Sequence, residues 1–325
     1  MSRDSRQRLQ PDDFTVGWVC AIAEELAAAR LLLDARYDDV GYESQGYLYT
    51  FGKIGKHNVA IGYLPAGRQG SSSATEVAMD MKAHFKRMRF CLMVGIGGGV
   101  PSAHNDIRLG DVVVSQPAGQ HGGVVQYDFG KRERGVFRRT GSLNAPPTLL
   151  LNALSRVESS RMIGESKFRD YLSAFESHPE FNRAGAGPDI LFRAGYEHVG
   201  GTDCSGCDQS TIFRRRPPTK EVEVHFGTIA SGNQVMKTAS VRDKISADLG
   251  GVLCFEMEAA GLMNSFQCLV IRGISDYADS HKNDKWKKPA AAAAAAFAKD
   301  LLSELSTQEV SGTSTLDEAV RELVP

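Results

Sequence analysis

The sequence of 325 residues has no surplus of charge of either sign: 38 lysines and arginines stand against 39 aspartates and glutamates, a formal net charge of −1. A chain so balanced offers no electrostatic footprint for nucleic acid or an anionic membrane, so neither is expected as a partner. No apolar run reaches membrane-spanning length, and Met1 to Asp13 is polar and arginine-bearing with no hydrophobic stretch behind it to act as a signal. A cytoplasmic protein is the expectation. Cysteine is scarce as well. The six (Cys20, Cys91, Cys204, Cys207, Cys254, Cys268) sit mostly inside apolar runs, which predicts reduced thiols and no disulfide framework. Cys204 and Cys207 have the spacing of zinc ligands, but no second CxxC accompanies them and His198 is the sole third ligand in view, so no metal is expected.

Two glycine-rich runs also lack what their attractive readings need. Gly67 to Ser73 has no lysine to reach a phosphate and reads as a pocket-lining turn before a helix. Gly95-Ile96-Gly97-Gly98-Gly99 is followed by Val100 and Pro101, where a dinucleotide fingerprint requires a small residue and an immediate helix. No cofactor is expected. The arginines 214–216 read as a solvated loop in a neutral chain.

What is present is apolar material enough, 42% of residues, for one large α/β domain or two ordinary ones. Thr15 to Ala21 reads as a strand feeding a helix that begins at Glu24 and Glu25 and runs to Leu33. Tyr47 to Ile54 and His57 to Leu64 form a hairpin around Gly55-Lys56, and Ser71 to His84 a helix. Buried strands follow at Phe90 to Gly95, Asp111 to Gln116, Val222 to Ala230 and Cys268 to Ile274, with a mixed segment from Val252 to Phe266. Ala290 to Ala296 belong to the final helix. This alternation predicts an α/β fold with a mainly parallel or mixed central sheet flanked by helices, and a ligand at the carboxyl ends of its strands. Residues 1–13 read as a flexible N-terminus, 177–221 as an insertion or lid, and 306–325 as a loose tail.

Three acidic residues fall at strand ends or helix starts beside buried segments: Glu25, Glu258 and Asp276. Each alone has an ordinary reading, as a first-turn helix carboxylate, a buried anchor and a turn-former. His281, close to Asp276, leaves a structural hydrogen bond and a chemical role equally open.

Five blocks in order carry more. Ala21-Ile22-Ala23-Glu24-Glu25, Val94 to Gly99 with Arg108 to Ser115, Ile229-Ala230-Ser231-Gly232-Asn233, Phe255-Glu256-Met257-Glu258-Ala259-Ala260 and Arg272-Gly273-Ile274-Ser275-Asp276 resemble the nucleoside phosphorylase superfamily. The likeness is to its hydrolytic branch, the methylthioadenosine/S-adenosylhomocysteine nucleosidases, and to the nucleosidase-like domains of many fungal proteins, which stand alone or precede repeat or nucleotide-binding modules. The resemblance implies a single domain over 14–305 with a twisted central sheet, a homo-oligomer with a dimer as first expectation, purine ribonucleosides as substrates and water as nucleophile.

It also implies roles. Asp276 matches the acid at purine N7, with partial burial as the expected means of keeping a proton there. Glu258 matches the carboxylate that accepts the ribose hydroxyls, above Met257, and Glu25 the base for the attacking water. Val235 and Met236, with Phe255, match the segments that hold the base, and Gly98 the loop approaching the water. Asn233 replaces an acidic residue common in bacterial enzymes, which leaves the preferred base open. In phosphorylases an arginine and a serine flank the loop at Val94-Gly95, where this chain has Met93 and Ile96, which donate nothing to phosphate. Arg68 is the one residue left to supply charge, so phosphorolysis stands as the alternative, and a non-catalytic nucleoside-binding module as another.

Overall fold

The computed structural model describes residues 8–322 except 39, 44, 45 and 219. The strands in chain order are β1 (Val16–Cys20), β2 (Ala35–Tyr37), β3 (Tyr49–Ile54), β4 (His57–Tyr63), β5 (Phe90–Gly99), β6 (Val112–Ser115), β7 (Val124–Gln126), β8 (Gly130–Glu133), β9 (Val136–Arg139), β10 (Val224–Gly227), β11 (Ile229–Ser231), β12 (Cys254–Glu256) and β13 (Cys268–Asp276). The helices are α1 (Ala23–Leu31), α2 (Ser71–His84), α3 (Thr148–Ile163), α4 (Phe168–Ser173), α5 (Ala239–Asp248), α6 (Lys287–Ser303), α7 (Thr307–Ser311) and α8 (Leu316–Glu322). The main sheet runs β10-β6-β13-β5-β1-β4-β3-β2, and β12, β11 and β7 branch from the far end of β5. It is mixed, as expected: β5 lies parallel to β1 and β13, while β6 runs antiparallel to β13 and β3 to β4.

Alternation along β5 builds the core on both faces. Phe90, Leu92 and Val94 pack with the alanines of α6, whereas Cys91 and Met93 pack with Ala74, Val77, Ala78 and Met81 of α2. The whole alanine run, Ala290 to Ala296, is buried, because small side chains let α6 lie close on the sheet. At Gly273 this approach is closest, since a Cβ there would meet the backbone of Ala290. The hairpin forms where expected, with Gly55 at φ 57° in its turn.

Several expectations need correcting. The glycine loop is the continuation of β5 to Gly99, which pairs with Cys254. Val222 to Ala230 is two strands in different parts of the sheet, β10 beside β6 and β11 beside β12. The described part of the tail holds α7 and α8: Val310, Leu316 and Ala319 are buried, and the Leu316 N–H donates to the Met88 carbonyl at 3.0 Å. Residues 1–7 of the expected flexible N-terminus lie outside the described residues, while Leu9 bridges to Val40 and Pro11–Asp13 form a turn of 3-10 helix.

Candidate active site

Glu25, Glu258 and Asp276 meet at one cavity of about 340 Å³, within the range of small-molecule sites. It opens where β1, β5 and β13 end, with Ile96, Gly98, Val235, Met236, Phe255 and Met257 also on its walls. β1, which leads into the helix carrying Glu25, and β13, which ends at Asp276, flank β5 on opposite sides.

Glu25 is held by backbone alone. Its Oε2 accepts the N–H groups of Ala21 at 2.6 Å and Ile22 at 3.2 Å, and its Oε1 that of Ile96 at 2.9 Å. The first two donors lie at the N-terminus of α1, where a carboxylate in the first turn reaches back. Burial pushes the Glu25 carboxyl above the usual range, against the pull of Arg272 and of these three N–H donors.

Asp276 is aimed by an irregularity in β13. Pairing with β5 steps from Ile274↔Gly97 to Asp276↔Gly98, so Ser275 is an extra residue and the strand bends there. Ser275 Oγ donates to Oδ2 at 2.9 Å and the Ala278 N–H to Oδ1 at 2.9 Å, with Ala278 itself in the left-handed region at φ 50°. The Lys282 ammonium stands 2.8 Å from Oδ2. The sequence reading relied on burial alone for this acid and missed the lysine, which no motif marks.

Glu258 closes the third side. The Gly70 N–H donates to its Oε1 at 3.3 Å, and Arg272 lies 3.6 Å from its Oε2. Its carboxyl is pushed up to about 7, first by burial and then by the neighbouring Glu256 and Glu25, with Arg272 pulling the other way. Arg272, fully buried, is the hub: it donates to Glu256, which also accepts the Glu258 N–H at 3.1 Å and the Ala259 N–H. An arginine inside a strand buried along its whole length demands buried partners, and that signal was available in the sequence. Gly95 is glycine because a Cβ would run into both Arg272 and Glu25.

Other expected residues behave differently. Asn233 is exposed and not on the cavity wall; its Oδ1 accepts from Ser71 N–H at 3.0 Å and Ser71 Oγ at 2.9 Å, tying β11 to the start of α2. Met93 faces the core on the α2 side, and only Ile96 of that pair meets the cavity. The Arg68 guanidinium is largely exposed and stands 4.0 Å from Glu76. Among the described residues, the 177–221 segment contributes none to the wall of this cavity; it lines a neighbouring cleft that shares Ser275 and Asp276 with it. All six cysteines are free. Ligand atoms of His198, Cys204 and Cys207 lie within 4.8 Å of one another, an encounter that spacing alone left unsupported. No described helix is long and apolar enough to cross a membrane.

The chain is 48% identical over 309 residues to a nucleotide-binding leucine-rich repeat (NLR)-like protein of Hyaloscypha variabilis, covering 93% of this chain and 30% of that protein. It is 26% identical over 277 residues to a death domain-containing ATP nucleosidase of Amphimedon queenslandica, covering 82% and 43%. The chain thus spans well under half the length of both relatives. In fold it is similar to the 5′-methylthioadenosine/S-adenosylhomocysteine nucleosidase of Neisseria meningitidis in complex with methylthio-immucillin-A, with a TM-score of 0.59 at 16% identity over 90% of this chain and 99% of that one. Residues 15–305 match the phosphorylase superfamily, and the chain belongs to it.

Proposed function

We propose that this chain is a purine nucleosidase, hydrolysing the N-glycosidic bond of purine ribonucleosides to free base and ribose without a cofactor. The observation that carries the reading is the convergence of Glu25, Glu258 and Asp276 on one cavity, with Met257 and Phe255 between them.

Cleavage passes through an oxocarbenium-like ribosyl group, and the C1′–N9 electron pair leaves with the base. Asp276 delivers a proton to N7 so that the base departs neutral, and takes up another from solvent before the next turnover. On the opposite side of β5, Glu25 takes a proton from water as its oxygen bonds to C1′. The three backbone donors fix the orientation of Glu25 without neutralising it. Glu258 accepts the ribose hydroxyls, which favours ribose over 2′-deoxyribose.

A shortage of free donors favours water over phosphate. Arg272, which stands among Glu25, Glu256 and Glu258, is already paired to Glu256, and Arg68 is turned towards Glu76, so neither is free to hold a phosphate dianion. The test is a chromatographic assay of free base released from adenosine, inosine, guanosine, their 5′-methylthio forms and ATP, the last because the Amphimedon queenslandica relative is an ATP nucleosidase. Turnover of at least one supports the reading; binding without release of base from any of them makes the chain a non-catalytic module.

A further inference from the structure

The cleft on the other side of Asp276 is lined by Cys204 and His281, and next to Cys204 stand His198 and Cys207, metal-binding side chains that the proposed reaction does not use. Cys204–Gly206 form one turn of 3-10 helix, capped by the Asp203 side chain on the Ser205 N–H, and the Cys207 N–H returns to the Cys204 carbonyl at 3.1 Å. A CxxC turn of this kind puts both sulfurs on one side, and the His198 ring comes up to them. In a tetrahedral zinc site the ligand atoms stand about 3.5–3.8 Å apart, given metal–ligand bonds of roughly 2.0–2.3 Å. A contraction of no more than about 1 Å from the observed limit of 4.8 Å brings the three to that geometry.

A second observation points the same way. His281 is nine-tenths buried and lines the same cleft as Cys204, yet neither ring nitrogen has a hydrogen-bond partner. The Asp279 carboxylate is 3.9 Å from Nδ1, too far to serve. Phe192 stacks on the ring at 4.1 Å between centroids, fixing its plane, and the His198 ring meets it edge-on at 5.5 Å. A buried imidazole with two idle nitrogens costs free energy unless something ligates it.

We propose that His198, Cys204 and Cys207 bind a zinc ion, with His281 as fourth ligand, and that the ion fastens the 177–221 segment to the loop carrying Asp276 and Lys282. Two thiolates and two imidazoles select zinc over magnesium or calcium, and four protein ligands make the site structural. His198 currently sets Nε2 against the Asp203 carbonyl and Nδ1 against the Gly200 N–H, both at 3.0 Å; ligation replaces one contact and keeps the other as outer support. The two segments already touch, since the His198 N–H donates to Ser280 Oγ at 3.0 Å. Among its described residues, segment 177–221 has short 3-10 turns and one isolated bridge, Phe192 to Ile212, so a metal clamp supplies the order that longer elements do not.

The whole chain, purified without a polyhistidine tag under reducing conditions, is analysed for metals by mass spectrometry. It is then exchanged with Co(II) and its visible spectrum recorded. One zinc per chain, and the intense ligand-field bands of tetrahedral thiolate-bound cobalt, are expected. The Cys204→Ser/Cys207→Ser variant should lose both, and His281→Ala should shift the cobalt bands. Wild-type protein that carries no zinc and develops no bands overturns the proposal whatever the variants do, as does zinc retained in the double variant. Unchanged bands in His281→Ala remove the fourth ligand. Tryptic cleavage at Arg214 to Arg216 should quicken when zinc is stripped, and an unchanged rate contradicts the clamp.

Discussion

Replacing Gly98 by alanine should cripple turnover, and replacing its neighbour Gly99 should not. The two glycines sit side by side on β5 and face opposite sides of it. A Cβ on Gly98 would stand 2.7 Å from Asp276 Oδ1, about 0.7 Å inside the 3.4 Å at which ordinary contact begins, and 2.8 Å from the Ala278 Cβ. Neither neighbour yields easily: Asp276 is tethered to Ser275, Ala278 and Lys282, and Ala278 is already in a left-handed conformation. A Cβ on Gly99 would be nearly as crowded, 2.8 Å from Ile274 and 2.9 Å from Ile107, but it would meet methyl groups away from the carboxylates. Overpacking should cost each variant about 1–3 kcal/mol of stability. Only Gly98→Ala should also displace the acid by a sizeable fraction of an ångström, costing on the order of 10- to 100-fold in kcat. Thermal melts and steady-state kinetics on the pair separate the effects. Gly98→Ala with near wild-type kcat, or equal losses in both variants, would refute the reasoning.

Asp276→Asn should fold normally and lose about 100-fold to 10,000-fold in turnover, because an amide cannot protonate the base; near wild-type rates would remove Asp276 from the chemistry. Glu258→Ala should reduce ribonucleoside turnover far more than turnover of 2′-deoxyribonucleosides, and equal losses would sink its assignment to the sugar hydroxyls. The acid limb of kcat/KM should lie above the ordinary glutamate range of about 4.3. Glu25 works only when ionised, and burial raises its carboxyl, so activity falls as pH drops through that raised value. A rate that holds level into the ordinary range speaks against Glu25 as the base.

Much of this architecture is legible in the chain itself. Long periodic segments such as Ser71–His84, the Gly55 turn and the alanine-rich helix match the structure because local pattern and tertiary packing agree there. The three cavity carboxylates draw notice as acids beside apolar strands, but each has an ordinary reading on its own and only the resemblance to the superfamily joins them in one site. The misses share a cause, namely partners remote in sequence. Glycine composition marks Gly97–Gly99 as a loop, yet they are strand because they pair with β12 and β13, and Cys254, Asp276 and Ile274 leave no room there for a Cβ. Arg272 and Glu256 form their pair only once β12 and β13 are placed around β5, and Asn233 meets Ser71 across 162 residues. The terminal helices were readable. Ser306 with Glu309 and Thr315 with Glu318 are capping pairs, outweighed in the sequence by their polar surroundings.

The central claim is that water, activated by Glu25, is the nucleophile. The direct measurement is product analysis with a turned-over purine nucleoside, with and without added phosphate, for wild type and Glu25→Gln. The account predicts free ribose, no ribose 1-phosphate at any phosphate concentration, and a fall of about 100-fold or more in the variant. Ribose 1-phosphate as the main product, or a Glu25→Gln enzyme that hydrolyses normally, would contradict it.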